Sequence, residues 1–100
     1  MNDYFDNIPE IKYEGKESDN PLCFKYYNED QIVLGKTMKE QLRFATCYWH
    51  TFTWPGLDPF GGPTLERPWM KAGNPIKMAE IKLNAAFDFI KKIKTTFFCF

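Results

Sequence analysis

The chain has 100 residues, enough for one small domain, and its 13 Lys and Arg residues balance its 13 Asp and Glu residues. A chain without net charge has no overall field that draws it toward nucleic acid or an anionic membrane. Its first residues lack the basic and apolar regions of a signal peptide, and no apolar stretch approaches the ~20 residues that cross a bilayer, so we expect neither a nucleic-acid nor a membrane partner.

Residues 1–36 form the first predicted region, a polar and turn-rich segment with interspersed aromatic residues. Ile8–Pro9, Tyr13–Gly15 and Asp19–Pro21 are turn signals that separate short mixed runs. We predict an irregular N-terminal arm without a core of its own, whose aromatic side chains pack onto the structure that the arm wraps.

Residues 37–100 are predicted to hold the regular structure. Thr37 and Glu40 fit a capping box, which predicts a short helix through about Leu42. Residues 44–52 follow, rich in aromatic and β-branched residues and free of Gly and Pro, which predicts a buried strand.

Side chains alternate across a strand, so Trp49 and His50 are predicted on opposite faces. His50 would lie on the face that packs against helices, where we interpret it as a structural histidine. Cys47 and His50 would also lie on opposite faces, which disfavours a shared zinc ion.

A long loop over residues 53–74 separates this strand from the strongest predicted helix. The loop contains four prolines, but its aromatic residues argue against disorder. Asn74 as N-cap and Pro75 at the first position begin a helix of about five turns. Its apolar stripe comprises Ile76, Ala79, Leu83, Ala86, Phe87, Ile90 and Ile93, with Asp88 on the solvated side, one turn before Lys92.

After a break at Lys94 and Thr95, residues 96–100 read as a second buried strand. The order strand, helix, strand predicts an α/β fold, with two parallel strands joined by a right-handed crossover in a β-α-β unit. Sites in such folds lie at the C-terminal ends of strands. We therefore expect chemistry near Trp49 to Phe60 and just beyond Phe100.

Two parallel strands under one helix leave both sheet edges open, so such a piece is not expected to be stable alone. The sequence also stops inside an apolar strand. We therefore expect an incomplete part of a larger design, such as a (β/α)₈ TIM barrel of roughly 250 residues.

Three widely spaced cysteines, Cys23, Cys47 and Cys99, include no C-x-x-C pair. Two of them lie in apolar runs, as buried free thiols do. This usage favours a reducing compartment, so we expect a cytoplasmic protein.

Several motifs in order resemble the start of xylose isomerases, in the longer-chain class that carries an N-terminal arm. The matching segments are Tyr48–Phe52, Asp58–Gly61, Arg67–Trp69 and Phe98–Phe100, preceded by Lys12–Gly15, Ser18–Leu22 and Gly35–Met38 in the arm. Each motif alone is weak, but their order and spacing over essentially the whole chain are specific. The sequence departs from the family pattern at Pro55, in the Gly61–Pro63 run and at Thr95–Thr96. These departures affect the expected conformation of the loops and not the resemblance to the family.

The resemblance implies a homotetrameric TIM-barrel enzyme with two divalent cations, Mg²⁺, Mn²⁺ or Co²⁺. Such an enzyme interconverts D-xylose and D-xylulose, and also D-glucose and D-fructose, by a metal-assisted hydride shift. The family's catalytic His and the Asp that orients it would follow Phe100, and the metal ligands later still. The resemblance thus assigns no catalytic and no metal-binding residue to this chain, and we expect the chain alone to be inactive.

Two substrate-binding residues carry over from the resemblance. Trp49 matches an aromatic residue that lines the sugar site, and Phe60 matches a loop aromatic that reaches the neighbouring subunit's site. The alternatives are that Trp49 is an ordinary core residue and that Phe60 anchors the loop within its own subunit. For the chain as a whole, the alternatives are a non-catalytic truncated product or interaction module and an aromatic-lined carbohydrate-binding module.

Overall fold

The computed structural model describes residues 4–71 and 73–100 as a small α/β structure. In chain order it contains β1 (Ile32–Val33), β2 (Lys36–Thr37), α1 (Met38–Gln41), β3 (Ala45–Cys47), α2 (Tyr48–Phe52), a 3₁₀ turn (Pro68–Lys71), α3 (Pro75–Ile93) and β4 (Phe97–Cys99). β1 pairs with β2 in antiparallel fashion, whereas β3 and β4 are parallel. The α/β class predicted from the sequence is thereby confirmed.

Both predicted helix starts are confirmed. The Glu40 backbone N–H donates to Thr37 Oγ1 over 3.2 Å, and the Thr37 N–H donates to Glu40 Oε1 over 3.4 Å, which completes the capping box of α1. At α3 the Lys77 N–H donates to Asn74 Oδ1 over 2.8 Å, and Pro75 occupies the first turn. These side chains satisfy backbone donors that a helix start leaves unpaired.

The predicted strand over residues 44–52 is wrong in its second half. Strand geometry covers only Ala45–Cys47, and the chain continues directly into the single helical turn α2. The i, i+4 spacing brings Tyr48 and Phe52 together, with ring centroids 5.8 Å apart. Both rings pack into the core beside α3, and this tertiary packing outweighs the strand propensity of the segment.

The core is small and mostly aromatic. Phe52 is 2% exposed, and its ring centroid lies 5.5 Å from that of Phe89 and 6.0 Å from that of Trp69. The Trp69 indole N–H donates to the Phe52 carbonyl over 2.7 Å, so the buried indole is satisfied. Ala85 and Ala86 complete the buried apolar set and allow the rings to approach α3 closely.

The buried face of α3 differs from the predicted stripe. Ala86 is buried as predicted, but Ile76, Leu83 and Phe87 are exposed. Asp88, predicted on the solvated side, is instead 1% exposed, and one of its carboxylate oxygens accepts a hydrogen bond from the Phe5 N–H. The N-terminal arm covers this side of α3. The periodicity of the helix sequence cannot predict a contact with so distant a segment.

The arm contacts the second half of α3 at several points. The Phe5 ring meets the Phe89 ring at a centroid distance of 6.4 Å, and the Ile11 N–H donates to the Lys92 carbonyl over 2.7 Å. Within the arm, β1 and β2 form a short hairpin whose turn contains Gly35 at φ 83°. The division of the chain into an arm (1–36) and a barrel part (37–100) remains a prediction.

Lys94 ends α3 and links it to the arm. Its backbone is left-handed, with φ 62°, as is common for the residue that terminates a helix. Its ammonium group lies 3.0 Å from a carboxylate oxygen of Glu29 and 3.1 Å from one of Glu10. Hydrogen bonds that the ammonium donates to these carboxylates raise the pKa of Lys94 above its ordinary value of 10.5, and the bond to Glu29 contributes most.

We expect Lys94→Met to loosen the arm without unfolding the chain. The two partly exposed ion pairs contribute about 0.5–1 kcal/mol together, so amide exchange at Ile11 should quicken about two- to fivefold. A folded pKa above the unfolded value makes this stabilisation complete at neutral pH, and it is lost only as the pH rises through that pKa. Hydrogen-exchange NMR at Ile11 measures the effect. Lys77→Met is the control. Equal amide exchange at Ile11 in the two variants would contradict the claim that Lys94 holds the arm against α3.

The described chain is more open than a self-sufficient domain of its length. Its Cα radius of gyration is 16.4 Å, against about 13 Å for a compact 100-residue domain. Its accessible surface is 7624 Å², against about 5,900 Å² expected from the size scaling of compact proteins. Phe97, Phe98 and Phe100 in and after β4 are all exposed, so the chain's own residues do not shelter this strand.

Candidate functional site

Trp49 lies in the first turn of α2, immediately after β3, with its side chain directed away from the core. It is 51% exposed, and its ring centroid lies 5.2 Å from that of Trp54 at an interplanar angle of 54°. Two tilted indoles at this distance form an apolar surface of the kind on which ligand rings pack. The position agrees with a site at the C-terminal end of a strand, although the residue itself is helical.

Trp54 is a candidate site residue that lies inside the expected range from Trp49 to Phe60 but that the sequence analysis did not single out. It follows the end of α2, and its carbonyl accepts a hydrogen bond from Arg67 Nε over 3.3 Å, which ties it to the far end of the loop. Arg67 also lies over the Trp69 ring, 6.0 Å from its centroid. The five-residue spacing between Trp49 and Trp54 would have indicated the pair only if the helical turn between them had been predicted.

Phe60 lies at the tip of the loop and is 96% exposed. The tip is ordered by the carboxylate of Asp58, whose Oδ1 accepts the Phe60 N–H over 2.8 Å, and by paired backbone bonds between Asp58 and Gly61 of 3.3 and 3.4 Å. At the base of the loop, Gly56 has φ +80°, and a Cβ there would lie 2.1 Å from Thr64 Oγ1. Glycine is therefore required at this position.

The structure does not join the two predicted substrate residues into one pocket. Within residues 4–71 and 73–100, Phe60 makes no aromatic ring contact, whereas Trp49 contacts Trp54 and His50. His50 is exposed, so its predicted place on a helix-facing strand side is wrong. The same described ranges hold no group of three or more His, Cys, Asp and Glu side chains arranged to bind a metal ion.

Lys82 fixes the orientation of α2 against α3. Its ammonium lies 5.3 Å from the centroid of the Tyr48 ring and donates to Thr53 Oγ1 over 3.2 Å. Burial raises the pKa of the Tyr48 phenol above its ordinary value, so the ring is neutral at physiological pH and presents its π face to the cation. Contacts at both ends of α2 therefore position the Trp49 side of the turn.

A large cavity lies elsewhere. It has a volume of about 920 Å³ between the arm, β3, the start of β4 and α3, and Tyr13, Tyr27, Phe44 and Phe97 are among its lining residues. Its lining includes the segments that lead into both strands, residues 42–44 and 94–96, whereas sites in α/β folds form at the C-terminal ends of the strands. We therefore place the candidate site at Trp49, Trp54 and the Phe60 loop rather than in this cavity.

No helix in the described parts of the chain combines the length and the apolar character required to span a membrane.

No protein-family model matches the chain. The chain is similar over its whole length to a protein of Photobacterium profundum named xylose isomerase, with 50% identity over 100 residues. It is 51% identical over 98 residues to a xylose isomerase of Caldanaerobacter subterraneus and 52% identical over 98 residues to one of a Thermoanaerobacter species. These matches confirm the resemblance that the motifs indicated.

The matches cover 100%, 98% and 98% of this chain but only 23%, 22% and 22% of the respective relatives. The chain thus spans less than a quarter of the length of the curated relatives that it matches.

Proposed function

We propose that this chain is the N-terminal part of a xylose isomerase, an enzyme that interconverts D-xylose and D-xylulose and also accepts D-glucose and D-fructose. The observation that carries the proposal is identity of about 50% over the entire chain with proteins of that name. We call the longer protein the full-length protein. Its fold in this proposal is a TIM barrel, in which β3, α3 and β4 make the first strand-helix-strand unit.

The open architecture supports this reading. The parallel pair of β3 and β4 has two free edges in the described structure. The aromatic rings of Phe97, Phe98 and Phe100, on and after β4, are exposed. Ile76 and Leu83 on α3 are likewise exposed apolar residues. Additional strands and helices would cover these surfaces, as a closed barrel does.

In this proposal the chain contributes apolar walls rather than reacting groups. Trp49, held against Trp54, would line the sugar site, and Phe60 at the ordered loop tip would enter the site of a neighbouring subunit in a homotetramer. Apolar walls exclude water from the position where a hydrogen moves between C1 and C2 of the sugar. Catalytic groups, including the His and Asp implied by the resemblance, would come from outside the chain.

The residues described here do not form a divalent-cation site, since no suitable cluster of ligands occurs among residues 4–71 and 73–100. Relatives of this name imply a divalent metal in the family, and the resemblance implies two ions, Mg²⁺, Mn²⁺ or Co²⁺, that assist a hydride shift. We propose that the ligands of these ions lie elsewhere in the full-length protein. We also propose that the protein is cytoplasmic, as its cysteine usage indicates.

The full-length protein should convert D-xylose to D-xylulose in the presence of Mg²⁺, and activity should vanish in excess EDTA and return when Mg²⁺ is restored. Product formation measured by chromatography tests this expectation. D-glucose and D-fructose serve as the second substrate pair. Failure to isomerise either pair at any of the three metals would overturn the proposed function.

The isolated 100-residue chain should show no isomerase activity, a broad unfolding transition and a tendency to aggregate. Its small core and exposed β4 are the physical reason. Calorimetry and light scattering on the purified chain measure the last two properties. A sharp thermal transition of a soluble monomer would favour the alternative of an independent module, and turnover by the chain alone would contradict the absence of catalytic groups.

A further inference from the structure

We infer that Arg67 is a positioning residue that holds the two aromatic walls of the candidate site, the Trp49–Trp54 pair and the loop tip at Phe60, in fixed positions. This role rests on the proposed function, in which both walls line sugar sites. Arg67 acts through a backbone group, because its Nε donates a hydrogen bond to the Trp54 carbonyl over 3.3 Å.

The hydrogen bond of Arg67 closes a loop whose ends are also joined by backbone contacts. The Pro55 carbonyl accepts the N–H groups of Thr64 and Leu65, each over 2.9 Å. Residues 54–67 thus form a compact loop of the Ω type, with adjoining ends and hydrogen bonds of its own. These contacts join residues of the loop to each other, so no part of the full-length protein outside this chain is needed to make them.

Arg67 is at the same time anchored to the core. Its guanidinium carbon lies 6.0 Å from the centroid of the Trp69 ring, which is buried and donates its indole N–H to the Phe52 carbonyl. The Arg67 carbonyl accepts the Met70 N–H over 2.9 Å at the start of the 3₁₀ turn. Because a guanidinium group over an aromatic face is attracted to the ring electrons, the buried indole holds the cation that in turn holds the loop.

Through this one side chain the core is connected to both walls. The Trp54 residue that accepts the hydrogen bond also places its ring 5.2 Å from the Trp49 ring. The same loop carries Phe60 at its tip, where Asp58 orders the backbone. Loss of the donor would free the start of the loop to move relative to the core. Small displacements of positioning groups alter how a substrate is held, even when the altered residue lies away from the reacting atoms.

The geometry of the contact selects arginine rather than lysine. A guanidinium group is planar, so it lies over the Trp69 ring and donates from Nε to the Trp54 carbonyl in one conformation. A lysine ammonium is a compact, strongly hydrated charge without a second donor along its stem. Lysine at position 67 is therefore expected to keep the charge but not the double contact.

Arg67→Met in the full-length protein removes the donor and the charge but keeps an apolar stem. We expect KM for D-xylose to rise about tenfold, as the loss of one positioned hydrogen bond implies, while kcat of the folded enzyme changes by about twofold or less. Steady-state kinetics measures both constants. A purely structural role would instead lower kcat through loss of folded enzyme and leave KM unchanged, and that result would overturn the inference. Wild-type KM in Arg67→Lys would overturn it as well.

Hydrogen-exchange mass spectrometry provides a measurement that is independent of isomerase activity. Peptides that cover residues 54–66 should exchange about tenfold faster in Arg67→Met than in the wild type, whereas peptides from α3 should be unchanged. Lys71→Met is the matched control, because Lys71 is a cation of the same 3₁₀ turn that pairs with Glu66 over 3.2 Å on the surface. It should leave both KM and the exchange of the loop unchanged.

The two measurements separate failure of the inference from failure of the proposed function. If the wild-type protein isomerises D-xylose but Arg67→Met changes neither KM nor the exchange of the loop, the positioning role is refuted and the function stands. If the wild-type protein is inactive toward the proposed sugars, the proposed function fails, and the positioning role in a sugar site fails with it. Should Arg67→Met not fold, the same two measurements on Arg67→Lys decide.

Discussion

Phe52→Ala is expected to lower the free energy of unfolding of the full-length protein by about 3–5 kcal/mol, the cost of truncating a buried aromatic side chain. Phe52 is 2% exposed and contacts Tyr48, Trp69 and Phe89. Removing its ring leaves a cavity at the junction of α2, α3 and the 3₁₀ turn. Chemical denaturation followed by tryptophan fluorescence and far-UV circular dichroism measures the loss.

Tyr26→Ala is the matched control for this prediction. It also removes a six-membered aromatic ring, but Tyr26 is 82% exposed in the arm, so the free energy of unfolding should change by about 0.5 kcal/mol or less. Equal destabilisation by the two variants would mean that Phe52 is not the centre of the core.

Trp49→Ala should lower kcat/KM of the full-length enzyme for D-xylose by about 10- to 100-fold, with only a small loss of stability. The reason is that an apolar wall contributes about 1.5–3 kcal/mol when it is covered by ligand, which corresponds to this range of rates. Half of the Trp49 side chain is solvent-accessible, so folding depends on it less. Steady-state kinetics and denaturation of the same preparation separate the two effects.

Trp69→Ala is the matched tryptophan control. Trp69 is buried and donates its indole N–H to the core, so its truncation should cost about 3–5 kcal/mol of stability. Enzyme that remains folded should keep its kcat/KM. If Trp49→Ala instead lost stability as Trp69→Ala does, while the surviving enzyme retained normal kinetics, Trp49 would be an ordinary core residue.

Local signals predicted the helix boundaries well. Thr37, Glu40, Asn74 and Pro75 act on backbone groups within one turn, so their effect is readable without knowledge of the fold. The left-handed Lys94 coincides with the predicted break after α3.

The segment Tyr48–Phe52 shows where such reading fails. Its residues favour strands individually, but packing of Tyr48 and Phe52 against α3 decides in favour of a helical turn. That one turn changes the surroundings of Trp49 and His50 and creates the contact with Trp54. The residues of the candidate site were thus proposed from the sequence, whereas the helical turn that sets their geometry could not be predicted.

Contacts between distant residues were not predictable. The helix periodicity places Asp88 on the solvated side of α3, but the arm covers that side and buries the residue. The Phe5 backbone N–H, 83 positions away, donates a hydrogen bond to the Asp88 carboxylate. The pairing of Cys47 with Cys99 depends on the register of two strands separated by the whole of α3. Neither composition nor periodicity encodes such partners.

The attachment of the arm to α3 has a consequence for biosynthesis. Phe5 is synthesised 83 residues before Asp88, the residue whose carboxylate accepts the hydrogen bond of its backbone N–H. At translation rates of about 5–20 residues per second this interval lasts roughly 4–17 s, during which the nascent arm has no docking partner. Closure of so long a loop is entropically slow, so arm docking should be a late event in folding and a point at which chaperones intervene.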